Sequence, residues 1–139
     1  DCAIEPGGDG HVTIPNDWVN ISDGAFRSCS SLYTITIPNS VTIIGPGAFQ
    51  NSSLSTVTIP DSVTSIESFA FAGCFNLSTV TLPDTPTVAY VGHSAFPSCL
   101  GFGLSLVEGN NPRGLIQCLP CTNKTITIPN NVSGIGDYA

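Results

Sequence analysis

The chain has 139 residues, with 10 acidic against 3 basic side chains, for a formal net charge of -7. Arg27, Arg113 and Lys124 are the entire basic complement, which excludes binding to nucleic acid or to an anionic membrane surface through clustered cations. Hydrophobic residues make up 41%, enough for a packed core, while no apolar run approaches the roughly 20 residues that span a bilayer. The first segment, Asp1-Cys2-Ala3-Ile4, reads as the tail of a repeat supplied without its beginning. Thr-Ile-Pro or a close variant then recurs, with its proline at Pro15, Pro38, Pro60, Pro83 and Pro129, at spacings of 23, 22, 23 and 46. The last spacing is double the others, so it predicts one further, degenerate unit whose strand is Leu104-Ser105-Leu106-Val107.

Each unit predicts one short strand. In Thr34-Ile35-Thr36-Ile37 the alternation turns Ile35 and Ile37 inward and the threonines outward, and Pro38 ends the strand. After the Asn39-Ser40 turn, Val41 and Ile44 return to the core, and Ala48-Phe49 insert an anchor before the chain climbs into the next unit. A 23-residue unit with one strand cannot enclose a core alone, so the units must stack, with a parallel sheet on one side and turns or short helical turns opposite. The expected organisation is a single domain over 1–139: regular coils over 11–96, an irregular coil over 97–124 and an incomplete final coil over 125–139.

The pattern Leu-x-x-Ile-x-Ile-Pro-x-x-Val-x-x-Ile-x-x-x-Ala-Phe-x-x-Cys, seen from Leu32 and again from Leu54 to Cys74, resembles the BspA-type leucine-rich repeats of bacterial and protozoan surface antigens. That resemblance implies a mainly β, right-handed leucine-rich-repeat solenoid of about six coils of 22–23 residues. It also implies exposure at the cell surface or secretion, use in adhesion or structural contact, and no catalytic residues to carry over. The match is close over Val12 to Phe96, lapses over Pro97 to Asn123 and resumes from Thr125.

The final unit stops at Ala139, where the pattern would next require its Phe, so the two ends read as complementary halves of one coil. A bare terminal coil shows unpaired strand edge and core side chains to water, and neither end carries a charged amphipathic cap. Head-to-tail contact between copies through Cys2, Ile4, Val132, Ile135 and Tyr138 would cover both ends and generate an open filament. The competing expectation is a fragment of a longer repeat protein. Glycosylation motifs stand at Asn20, Asn51, Asn76, Asn123 and Asn131, five where about two are expected by chance. All fall outside the inward positions except Asn20, which aligns with Ile43 and can face either way. With these motifs and its uncapped ends the chain resembles the leucine-rich-repeat subunit of an extracellular, glycan-coated fibril.

Six cysteines in so short a chain fit a disulfide-permissive, extracellular setting. Stacking favours Cys2 with Cys29, Cys74 with Cys99 and Cys118 with Cys121, with Cys99 to Cys121 as the main alternative. Cys118-Leu119-Pro120-Cys121 has the spacing of a redox or metal half-site but lacks the further ligands that either needs. The outward threonines Thr34, Thr36, Thr56, Thr58, Thr79, Thr81, Thr125 and Thr127 would form two columns, a strand face open to an adhesive ligand or, on a flat lattice, to ice. His11 and His93 lie too many coils apart to cooperate, and no glycine-rich phosphate loop follows a strand. No enzymatic activity, cofactor, metal or nucleic-acid partner is therefore expected; the expected partners are other copies of the chain and covalent glycans.

Overall fold

The computed structural model describes residues 2–81, 88, 90–92 and 94–96 in full, together with the backbone of three later strands. Three-residue strands β1 (His11–Thr13), β3 (Thr34–Thr36), β5 (Thr56–Thr58) and β7 (Thr79–Thr81) alternate along the chain with two-residue strands β2 (Asn20–Ile21), β4 (Ile43–Ile44), β6 (Ser65–Ile66) and β8 (Tyr90–Val91). Beyond them lie β9 (Leu115–Gln117), β10 (Thr125–Thr127) and β11 (Gly134–Ile135). No helix occurs among the described residues.

The strands build a leucine-rich-repeat solenoid with two sheets. One runs β1-β3-β5-β7-β10-β9 and the other β11-β8-β6-β4-β2. The second sheet lies where turns alone were expected: the segment after each strand-ending proline extends for two residues and pairs with its equivalent one coil away, as Asn20 with Ile43 and Ile21 with Ile44. Successive coils pair in parallel in both sheets, and the one antiparallel partnership is β9 against β10.

β10 pairs directly with β7, and β11 directly with β8, so the Thr125 unit stacks on the Thr79 unit with no coil between them in either sheet. Among the described residues five coils are represented in both sheets. Part of the additional length supplies β9, which lies along the outer edge of β10. The degenerate strand expected at Leu104 to Val107 lies outside the described residues.

The core is a set of columns. Ile35, Ile37, Val41, Ile44, Ala48 and Phe49 of one coil are all buried, as are their equivalents Val57, Ile59, Val63, Ile66, Ala70 and Phe71 in the next. Phe26, Phe49, Phe71 and Phe96 stack nearly face to face, with ring centroids 5.4, 5.0 and 5.6 Å apart, and Trp18 tilts against Phe26 at 6.3 Å. The backbone beside these rings forms a third ladder: Phe26, Phe49 and Phe71 donate their N–H groups to Ala48, Ala70 and Ala95 carbonyls at 2.7, 2.7 and 2.6 Å. Gly47, just before an Ala-Phe pair, adopts a φ of 57° that suits a residue without a side chain.

Candidate functional site

The outward face of the first sheet is a charge-free array of hydroxyls. Strand pairing places Thr34, Thr56, Thr79 and Thr125 in one row of register and sets Thr58 opposite Thr81. Thr36, Thr56, Thr58, Thr79 and Thr81 are exposed and Thr34 is half-buried. His11 continues the row at the first coil, where its Nδ1 lies 2.8 Å from Thr34 Oγ1 and its Nε2 3.1 Å from Thr36 Oγ1 and 3.3 Å from Thr13 Oγ1. A threonine hydroxyl donates or accepts, so this cluster satisfies either neutral tautomer of the imidazole. His11 is thus fixed within the face, while His93 lies outside the described residues.

At the amino-terminal end, the chain before β1 folds back over the first coil. Ala3 donates its N–H to the Ala25 carbonyl at 2.8 Å, the bond Phe26 makes one coil on, and Cys2 is joined to Cys29 by a disulfide with a Cα separation of 5.6 Å. Cys2, Ile4, Trp18 and Ala25 pack against the core while staying partly exposed. The edge of β1 is also partly covered, because Gly7 donates to the His11 carbonyl and the Asp9 carboxylate accepts from the His11 N–H. With β9 on the outer edge of β10, the first sheet has local cover at both ends, in contrast to the bare edges expected. Val132 and Tyr138 lie outside the described residues, and Ile135 is placed by its backbone in β11.

Cys74 departs from the expected pairing with Cys99. Its thiol is free and points back along the solenoid, donating to the Phe49 carbonyl at 2.9 Å and lying 3.4 Å from Ser52 Oγ. Ser52 is the one buried polar residue among those described, and it stands three residues after Phe49 as Cys29 and Cys74 do after Phe26 and Phe71. That alignment was available in the sequence. Burial pushes the Cys74 thiol up from its ordinary range, and the hydrogen bonds with Ser52 pull against it. Cys99, Cys118 and Cys121 lie outside the described residues. Among the described residues no three His, Cys, Asp or Glu side chains are grouped to hold a metal ion.

Three of the five glycosylation motifs can be placed. Asn20, Asn51 and Asn76 are exposed, and Asn20 faces outward on the second sheet while its neighbour Ile21 is buried. None of the three lies on a strand of the threonine face. Asn123 and Asn131 lie outside the described residues.

A family model for the BspA type leucine rich repeat region matches residues 10–106 in six copies. The chain belongs to this family. No curated protein matches it. Among solved structures it is similar to a leucine rich repeat protein of T. pallidum, with 25% identity over 94% of this chain and 53% of that one and a TM-score of 0.68. It is also similar to a leucine-rich repeat protein from Bacteroides capillosus ATCC 29799, at 34% identity over 67% of this chain and 56% of that one, with a TM-score of 0.42. A leucine rich cell surface protein from Faecalibacterium prausnitzii A2-165 shares 26% identity over 92% of this chain and 35% of that one, with a TM-score of 0.49. The chain therefore spans 53%, 56% and 35% of these three proteins. In BspA-type terms, the repeated Leu, Ile, Val, Ala and Phe positions are all accounted for by the core, and the residues left over for function are the outward face, the exposed asparagines and the two ends.

Proposed function

We propose that this chain is a structural protein of the cell surface or extracellular space that associates head to tail with other copies of itself into a glycosylated filament. The observation that supports the reading best is the equivalence of successive coils: each presents to the next the same backbone donors, acceptors and aromatic ring that it receives from the one before. A solenoid built this way offers a seat for another copy wherever part of an end coil is left uncovered. Exposed Asn20, Asn51 and Asn76 are available for sugars, which would solubilise a surface with few charges. Negative-stain microscopy and intact mass before and after glycosidase treatment test the proposal. Filaments are expected, with a subunit mass above 14.4 kDa that falls on deglycosylation. Discrete particles of bare mass would overturn it.

The in-register, uncharged threonine face favours a second reading, an adhesive module that binds a neutral, hydroxyl-rich ligand along its strands. Replacing Thr56 and Thr79 with Lys would abolish such binding and leave end-to-end assembly intact.

A further inference from the structure

The hydroxyls of this solenoid divide into two groups. Those at the margins of the sheets are tied up inside the chain: Ser55 and Ser78 donate to the Tyr33 and Ser55 carbonyls at 2.9 and 3.2 Å, and Thr42 and Thr64 to the Val19 and Thr42 carbonyls at 3.3 and 3.2 Å. On the first sheet, Thr13, Thr34 and Thr36 gather around the His11 imidazole. The exposed hydroxyls of Thr56, Thr58, Thr79 and Thr81 have no hydrogen-bond partner among the described residues. They form a two-by-two array with a strand spacing of about 4.8 Å, held by β-branched side chains of restricted χ1 above a packed core. Tyr33 stands at the margin of the same face, one residue before β3. Its N–H and that of Thr34 both donate to the Gly10 carbonyl, at 2.8 and 3.2 Å. The Tyr33 ring lies over the buried Gly10, where a Cβ would come within 3.0 Å of ring atom Cε2 and closer still to Cδ2. Tyr33 is thereby seated against the backbone of the preceding coil while remaining 50% exposed.

We infer that the first sheet carries a polysaccharide site: a neutral, extended glycan runs along the solenoid axis, one sugar stacking on the Tyr33 ring and the following sugars exchanging hydrogen bonds with Thr56, Thr58, Thr79 and Thr81. This inference rests on the adhesive reading above and names its ligand class and its anchor. Three features select the ligand. A threonine hydroxyl both donates and accepts, as a sugar hydroxyl does, so each free hydroxyl pairs with a sugar in either sense. A half-exposed tyrosine already fixed by its neighbours offers an apolar surface to the C–H face of a pyranose, with little side-chain freedom left to lose on binding. Charge decides against acidic glycans: β3, β5 and β7 carry none, and the net charge of -7 repels polyanions with no cationic patch to offset it. The rows of register cross the strands, from Thr34 to Thr56 to Thr79, so a ligand that follows them meets one coil after another, which selects a polymer over a single sugar.

Affinity electrophoresis of the full chain through native gels tests the site, with hydroxyethyl cellulose, glucomannan and dextran as neutral probes and carboxymethyl cellulose as the anionic one. Retardation by at least one neutral probe, and none by carboxymethyl cellulose, is expected. Tyr33→Ala should weaken that binding about tenfold, as the loss of one aromatic anchor does, whereas Tyr33→Phe keeps the ring and should bind as the wild type. The double variant Thr56→Val, Thr79→Val keeps the β-branched shape and removes two free hydroxyls, so it should bind about tenfold more weakly with an unchanged melting temperature. Thr42→Val, on a hydroxyl already bonded to the Val19 carbonyl outside this face, should leave binding intact. Binding that survives Tyr33→Ala and the valine pair yet is lost in Thr56→Lys, Thr79→Lys would overturn this site and leave the strand-face reading standing, and equal retardation by carboxymethyl cellulose would do the same. A wild-type chain retarded by none of the neutral probes would overturn both.

Discussion

At the scale of single residues, the phenylalanine column concentrates the stability. Phe49 is fully buried between Phe26 and Phe71, and a cavity there would open between two coils that cannot collapse without breaking the backbone ladder beside it. Phe49→Ala should cost about 3–5 kcal/mol in denaturant unfolding. Cys74 is the titrating counterpart. Its folded-state pKa lies above that of the unfolded thiol, so the folded chain keeps a proton that the unfolded chain releases first. The sign follows directly: stability is fully present below the unfolded pKa of about 8.5 and falls as pH rises from there through the folded value. Replacing Cys74 with Ser keeps a donor for the Phe49 carbonyl and removes the titration. Unfolding measured from pH 7 to 10 should therefore show a smaller alkaline loss in Cys74→Ser than in the wild type, and equal losses would mean that the thiol is not sequestered in the folded chain.

At the scale of elements, the strand joints of the second sheet depend on close backbone approach. A Cβ at Gly45 would lie 2.6 Å from the Ile21 carbonyl oxygen and 3.1 Å from the Asp23 nitrogen, both main-chain atoms that cannot swing aside. Gly45→Ala should therefore separate β2 from β4 and cost about 1–3 kcal/mol, with faster amide exchange at Gly45 itself as the local sign. The amino-terminal arm offers a second test at this scale. Reducing Cys2–Cys29 releases a crosslink of sequence separation 27 and should cost about 2–4 kcal/mol, with loss of protection at the Ala3 amide. The first sheet was legible in the sequence because Thr-Ile-Thr-Ile alternates with period two, and the inward positions of Ile35, Val41, Ile44 and Phe49 followed from the same repeat. The second sheet was not, since two residues such as Ile43–Ile44 carry no periodicity and become strand only through the equivalent residues one coil away. The edge cover by β9 was hidden for a related reason: Leu115–Gln117 bears no trace of the repeat, and its pairing is decided by what β10 leaves open. The Cys74 thiol turned toward Phe49 because a backbone carbonyl of the preceding coil lies within reach, a contact that cysteine spacing alone does not encode.

For the whole molecule, stability is a sum over coils and the interfaces between neighbours, and this makes length a variable that register leaves free. Thr34 and Thr56 begin equivalent strands, and Asn20, Ile43 and Ser65 mark equivalent points of the second sheet. Removing residues 34–55 would join Tyr33 to Thr56 in phase, so that β5 pairs with β1, β6 with β2, and Phe71 stacks on Phe26. The shortened chain should fold, keep a cooperative unfolding transition, and melt below the wild type because one coil and one interface are gone. Removing only residues 34–44 would take out a similar number of core side chains per residue deleted, but it would set the first sheet's strand against the second sheet's position in the next coil. Inward and outward residues would then mismatch where the first coil meets those that follow, which keep their own register, and that variant should melt well below the in-phase deletion by circular dichroism. If both deletions behaved alike, the stability would come from general burial and not from stacked, in-register coils. The in-phase deletion should also shorten the filament repeat by one strand spacing, about 4.8 Å, because it removes one coil and leaves both end coils untouched.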